Sequence, residues 1–214
     1  MPETSAGTTR PLRPDDGRLV RGRRARDRIR RAARELFRER GFDRTTLRAI
    51  AERAGMGASS IYRHIRSKEE LLVDELAELQ EEAWQAFRRG GDRDAPARLR
   101  LRALLDAQHA LLVREPDWTT IALRAATHPE ARVSRRALAL EERTIGLVAE
   151  VLMAGRVRDE VASDVDLVGA ARTIVQLASG VRLAWANGML EADACREAIE
   201  SGVELLFRGI GGRG

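Results

Sequence analysis

Leu47, Ile50, Ala51 and Ala54 recur at i, i+3, i+4 and i+7, the stripe of a helix buried along one face, and the stripe stops at Ala54-Gly55-Met56-Gly57. Beyond this break Ile61 and Ile65 resume the helical spacing, leaving Ala58, Ser59, Ser60, Arg63 and His64 free to face outward. Thr45 or Thr46 can cap the first helix through a side-chain oxygen, and Gly55 can end it in the left-handed conformation that a side chain disfavours. Upstream, Ile29, Ala32, Ala33, Leu36 and Phe37 fall at i, i+3, i+4, i+7 and i+8, a supporting helix that Gly41 should terminate. The pattern predicts a three-helix bundle containing a helix-turn-helix, whose last helix, small and polar outside, suits the major groove of DNA.

Charge supports this independently. Residues 1–68 hold 19 Lys+Arg against 8 Asp+Glu, a balance of +11, whereas residues 69–214 hold 19 against 25, or −6. A polyanion is drawn to the basic end, where each neutralised phosphate releases counterions. Lys68 is the only lysine, so a compositional preference for arginine accounts for some arginines on solvated faces, but not for so large an asymmetry. Residues 1–20 carry Thr, Ser, Gly and Pro without periodicity, the composition of a disordered basic tail. Arg23 and Arg24, placed just before the first helix of a DNA-binding domain spanning 21–66, either stay solvated or lie along phosphates or a minor groove as an arm.

With these residues in view, the run from Ile29 to Leu72 resembles the DNA-binding domain of TetR/AcrR-family transcriptional regulators. The resemblance rests on an ordered set: Ala32-Ala33, Leu36-Phe37, Gly41-Phe42, Thr46, Ile50-Ala51, Ala54-Gly55, Tyr62, His64, Ser67-Lys68-Glu69 and Leu71-Leu72. Gly57 stands where a capping Ser is usual, Ser59 where Gly or Pro is common and Ile65 where Phe is usual, departures that bear on cap strength and operator sequence. The resemblance implies that Arg48 contacts a base and that Ala58, Ser59 and Ser60 approach base edges or thymine methyls. Thr46, Tyr62, His64 and Lys68 would bind phosphates, and Thr45, Gly57 and Arg63 complete the candidate surface. These roles fit the chemistry, since arginine reads guanine bidentately while hydroxyls and an ammonium suit backbone oxygens.

From Ser67 onward the chain reads as helix, opened by the capping box Ser67-x-x-Glu70 and continued by Leu72, Leu76, Leu79, Ala83, Trp84 and Phe87. Breaks at Gly90-Gly91 and Pro96, Glu115-Pro116, His128-Pro129, Gly155 to Ser163 and Asn187-Gly188 delimit five further helices. No alternating segment or hairpin signal occurs, so the fold class is all-α with about nine helices, the second domain covering 67–209 before a flexible Gly-rich end at 210–214. There is no apolar run of about 18 residues to span a membrane and no secretory leader, and a single cysteine precludes an intrachain disulfide. The chain therefore reads as cytoplasmic, with Cys195 a packing residue.

On the helix of about 97–114, Gln108 shares the stripe of Leu101, Leu104, Leu105, Leu111 and Leu112. It is either a satisfied core glutamine or a hydrogen-bonding group in a cavity for a small apolar or amphipathic effector. Trp84, Phe87, Leu105, His109, Trp118 and His128 are further candidates to line it, each by itself more often structural. The helices of about 164–187 and 191–208 are apolar over more than one face, as burial on two sides requires. Ile174, Ala178, Val181, Trp185, Ala198, Ile199, Gly202 and Leu206 are the predicted homodimer interface. The stretch from Ser179-Gly180 through Trp185 and Gly188 to Leu205-Leu206-Phe207-Arg208-Gly209 is also similar to the ends of many TetR-family chains, where it forms a dimer interface.

Enzymes fit poorly. Gly55-x-Gly57 lacks a preceding strand and the full phosphate-loop pattern, no Gly-x-Ser-x-Gly elbow occurs, and three scattered histidines with one cysteine lack metal-ligand spacing. No cofactor is predicted. The sequence points to a homodimeric DNA-binding regulator, a repressor released from a near-palindromic operator by a ligand. A regulator with a filled core, controlled by abundance or a protein partner, is the alternative.

Overall fold

The computed structural model describes residues 14–90, 92–127 and 130–210. Most of the predicted tail, residues 211–214 and His128 lie outside them. The chain divides into two compact units, Met1–Arg66 and Ser67–Gly214. Nine helices and no strand occur among the described residues.

The first unit holds α1 (Pro14–Arg40), α2 (Leu47–Arg53) and α3 (Ala58–Ile61). α1 begins earlier than the sequence pattern predicts: residues 14–20, read as tail, and Arg23 and Arg24, read as lying just before the first helix, are helical. Ala25 is buried one turn ahead of Ile29, so the apolar stripe extends backward. Proline is tolerated in a first turn because its missing N–H has no helical partner there. Gly41 ends α1 at φ +80°, its N–H donating to the Phe37 carbonyl at 2.9 Å. Gly55 ends α2 at φ +66°, with the Met56 N–H reaching back to the Ala51 carbonyl at 2.9 Å, the six-to-one bond of a helix closed by a left-handed residue.

The second unit holds α4 (Lys68–Gly90), α5 (Ala97–Leu112), α6 (Pro116–Ala126), α7 (Ala131–Val157), α8 (Leu167–Ala186) and α9 (Ala192–Ile210). Ser67 caps α4, accepting the Glu70 N–H at 3.1 Å. α4 packs on α5, α6 and α7, and α8 on α6, α7 and α9. Each helix turns its leucine, isoleucine and valine stripe inward: Leu101, Leu104, Val148, Leu152 and Ile174 are wholly buried. α9 runs to Ile210, one residue into the predicted flexible end.

Gly155 on α7 sits where an added Cβ would lie 2.7 Å from the Cβ of Ala97 and 3.3 Å from Cγ2 of Val161. The Ala97 Cβ is fixed to backbone and cannot swing aside, and the β-branched Val161 is stiff at χ1. Gly155→Ala is expected to destabilise the protein by roughly 1–3 kcal/mol through overpacking, although alanine is the better helix former. Gly146→Ala on the same helix, with nothing within 4 Å of its added Cβ, should instead stabilise by up to about 1 kcal/mol. Urea unfolding of the two variants separates packing from propensity.

Candidate nucleic-acid interface and ligand cavity

In the first unit Thr46 is the residue that caps α2, accepting the Ala49 N–H at 3.2 Å. Ile50, Ala51 and Ile61 are fully buried and hold α2 and α3 in place. Arg53 fastens the other side of α2 to α1: its Nη1 and Nη2 donate to the two Glu39 oxygens, each at 2.8 Å, and Nη1 also reaches Glu35 at 3.2 Å. This fork holds the Glu39 carboxyl below its ordinary range. Thr45, predicted to face DNA, is only 1% exposed, and its hydroxyl donates to the carbonyls of Gly41 at 2.8 Å and Leu36 at 3.3 Å. It locks the end of α1 because it follows the Gly41 turn directly, and so leaves the candidate surface.

α3 is shorter than the apolar spacing predicts. Gly57 occupies its N-cap without a side chain to accept an N–H, and regular helix covers only Ala58–Ile61. The chain continues to Ile65 as turns, with the His64 and Ile65 N–H groups both returning to the Ile61 carbonyl at 2.8 and 3.0 Å. Gly57, Ala58, Ser59, Tyr62 and Arg63 are exposed, and Ser60 and His64 half-buried. Arg63 donates to the Ser60 hydroxyl at 3.0 Å. Burial, followed by Arg26, Arg63 and Arg28, lowers the His64 pKa from its ordinary 6.5, so the imidazole is neutral at pH 7. Arg48 is exposed and pairs one turn along with Glu52 at 3.3 Å, the kind of solvated pair that exchanges at little cost. Arg23 and Arg24 are exposed on α1, where Arg21, Arg24, Asp27, Arg28 and Arg31 line an open cleft. Lys68 opens α4 in the second unit.

The second unit contains a cavity of about 270 Å³ between α4, α5, α6, α7 and α8. Of the residues predicted to line it, Gln108 does. Trp84, Phe87, Leu105, His109 and Trp118 are not among its walls, and His128 lies outside the described residues. Trp84, Leu105, His109 and Trp118 are buried core residues, Trp84 lying under the Arg143 guanidinium at 4.3 Å. Phe87 is half-buried beneath Arg100, 5.7 Å from its ring. His109 packs edge-on against Trp185 at 5.8 Å, and burial, with Arg182 nearby, lowers its pKa. The walls that the sequence reading missed come largely from α6, α7 and α8, among them Leu123, Leu140, Thr144, Val175 and Arg182. Arg182 carried a signal: it lies four residues from Ala178 and three from Trp185, on the buried stripe of α8. Val181 stood in for it because it is apolar, yet Val181 is only half-buried.

The predicted dimer stripe also needs correction. Ile174, Ala178, Trp185, Ile199 and Gly202 are buried within the single chain, and only Val181, Ala198 and Leu206 are half-buried. Gly202 serves the chain's own packing, since a Cβ there would meet Leu177 Cδ1 at 2.6 Å. In a six-helix unit these stripes are used up by the internal core, which leaves Val168 and Leu205 exposed on the opposite faces of α8 and α9.

Residues 29–74 match the family model of bacterial regulatory proteins, tetR family. The chain belongs to the TetR family. The HTH-type transcriptional regulator TcmR of Streptomyces glaucescens is 32% identical over 151 residues, 70% of this chain and 62% of TcmR, so the match spans less than two thirds of that relative. Thermus thermophilus FadR, a TetR-family transcriptional repressor solved in complex with lauroyl-CoA, is 28% identical, with a TM-score of 0.69 over 88% of this chain and 96% of its own. The fatty acid degradation regulator FadR of Bacillus halodurans, 18% identical, shares the fold at a TM-score of 0.68 over 88% and 97% of the two chains. The first unit carries the N-terminal helix-turn-helix of the TetR family and the second its C-terminal helical domain. The family comprises regulators and not enzymes. Among the described residues no cluster of three His, Cys, Asp or Glu could hold a metal, and no helix is long and apolar enough to cross a membrane.

Thr45→Val keeps the shape of the buried side chain and removes the hydroxyl that the Gly41 and Leu36 carbonyls accept from. It should lower stability in urea by roughly 1–2 kcal/mol and leave the ratio of operator to random-duplex affinity unchanged. Unaltered stability with altered base preference would return Thr45 to the DNA contacts.

Proposed function

We propose that the chain is a homodimeric repressor that leaves a near-palindromic operator when a small apolar or amphipathic effector occupies the cavity of the second unit. The observation that carries this reading is that one helix, α4, has Lys68 in its first turn and contributes Leu76 and Gln80 to the cavity wall. At 1.5 Å per residue those positions lie only about 12 and 18 Å from Lys68 along a single helix. An effector that pushes on Leu76 or Gln80 moves the first turn of α4 with them. Control requires only that the effector bind two conformations unequally, with typical couplings of about 1–3 kcal/mol. The cavity supports this reading over a filled core governed by abundance or a protein partner.

In the reading head, Arg48 exchanges Glu52 for a guanine edge, and Ala58, Ser59 and Ser60 meet neighbouring bases. Thr46, Tyr62, the neutral His64 through its N–H, Arg63 and Lys68 take phosphates, with the Gly57 backbone at the α3 N-terminus. Arg23 and Arg24 add phosphate contacts from α1 itself in place of a flexible arm. One head contacts few base pairs, so a twofold dimer is needed to read two half-sites. The outer faces of α8 and α9, with Leu205 65% exposed and Val181, Ala198 and Leu206 half-buried, supply the contact.

Arg48→Ala should cost about 1–3 kcal/mol of operator affinity and relax preference at one position, whereas Lys68→Ala should weaken all duplexes alike and flatten the salt slope. Equal losses on specific and random DNA from Arg48→Ala would remove it from base reading. Leu205→Glu is expected to sediment as a single folded chain with weakened operator binding; a dimer of unchanged stability would move the interface off these faces.

A further inference from the structure

We propose that the cavity of the second unit takes an amphipathic carboxylate, with Arg182 and Gln108 holding the anionic head and the aliphatic walls holding an apolar body. Its regulatory consequence rests on the effector reading above; the binding chemistry does not.

Arg182 is 6% exposed and lines the cavity. Its Nη2 donates to the Leu105 carbonyl at 3.2 Å and to Gln108 Oε1 at 3.1 Å, both neutral acceptors, while its Nε has no partner. A guanidinium carries five N–H donors, so most of its capacity is unused. The ionisable groups that bear on it are the Cys195 thiol, which burial pushes up, and the His109 imidazole, which burial pushes down, so neither supplies a negative charge. Burial draws the Arg182 pKa down to about 10, which leaves it charged at pH 7. A buried cation without a counter-ion is strongly unfavourable, and an arriving anion relieves that penalty.

Gln108 sharpens the choice. Its Oε1 is already taken by Arg182, and its Nε2, a donor, is buried without a partner in a residue that lines the cavity. The Thr144 hydroxyl spends its proton on the Leu140 carbonyl at 3.0 Å and offers no competing donor. Two adjacent unfilled donors, one on a cation, match the paired oxygens of a carboxylate. Leu76, Leu112, Leu123, Leu140, Val175 and Leu183 form the apolar wall. A volume of about 270 Å³, near the lower end for ligand pockets, admits a medium-length chain or a fused ring pair. Glu141 of α7 also lines the cavity and makes no ion pair with Arg182, so the charge pattern orients the bound anion: carboxylate toward Arg182 and away from Glu141.

The test uses the full-length protein and calorimetric titration with decanoate, methyl decanoate, decylamine, 1-naphthoate and methyl 1-naphthoate. A carboxylate should bind at least about tenfold tighter than its ester, and Arg182→Met should weaken the carboxylate about thirtyfold or more while leaving esters unchanged. Arg182→Lys should restore part of the loss. Arg182→Met should also melt at the same or a higher temperature, because a merely structural arginine would destabilise on removal; Gln108→Leu gives an independent variant should that protein not fold. Esters or the amine binding as tightly as the acids, no binding of either acid, or acids binding Arg182→Met as well as wild type, each overturns the proposal. Repeating the titrations on operator-bound protein separates the two readings. An acid that binds through Arg182 without loosening operator DNA refutes effector control and keeps the site, whereas release by a neutral ester alone keeps effector control and refutes the carboxylate.

Discussion

Helices of seven and four residues have no stability of their own in water, because nucleation costs more than so few hydrogen bonds return. α2 and α3 exist only because Ile50, Ala51 and Ile61 are wholly buried within the first unit. Much else in that unit follows. α1 must be long enough to offer a supporting face, the Gly41 and Gly55 turns must be tight, and Thr45 and Arg53 must tie the short helices to the end of α1. With stability invested on the inner side, the outward residues Ala58, Ser59, Tyr62 and Arg63 are free to be chosen for what they touch.

The second unit solves a different problem. Its six helices, 11 to 27 residues long, have ample apolar surface and close tightly where glycine allows it, at Gly155 against Ala97 and at Gly202 against Leu177. Against that background the cavity around Gln108 and Arg182 is a place where close packing stops and buried polar groups are left with unused donors. Such a site lowers stability, and proteins retain such costs chiefly where function requires them. Within the second unit α4 runs as unbroken helix from Lys68 to Gln80, so about three rigid turns link its first residue to the cavity wall.

Much of the architecture was legible in the residues. The stripes at Ile29 to Phe37 and Leu47 to Ala54, the glycines at 41 and 55 and the Ser67 cap all gave local instructions that the fold follows. The failures share one cause. Thr45 reads as a polar surface residue, Val181 as a stripe residue, and Trp84, His109 and Trp118 as pocket walls, because residue type was taken as a guide to environment. Burial is a property of the neighbours. Thr45 is sealed by the Gly41 turn, Val181 is rotated outward so that Arg182 faces in, and the tryptophans fill the core. The early start of α1 was missed for the reverse reason: arginine-rich residues around a buried Ala25 show little amphipathic signal.

What the sequence determined by itself is everything encoded within about one helical turn: helix periods, caps, breaks, the all-α class, the helix-turn-helix and the charge asymmetry that marks its basic end. What only the tertiary structure decided is which face of α8 and α9 the chain consumes in its own core, and which side chains from five separate helices converge on one cavity. Local periodicity says that a helix has a buried side. It cannot say what stands opposite, and so it could not reveal that a lone arginine on that side faces neutral acceptors and an open volume.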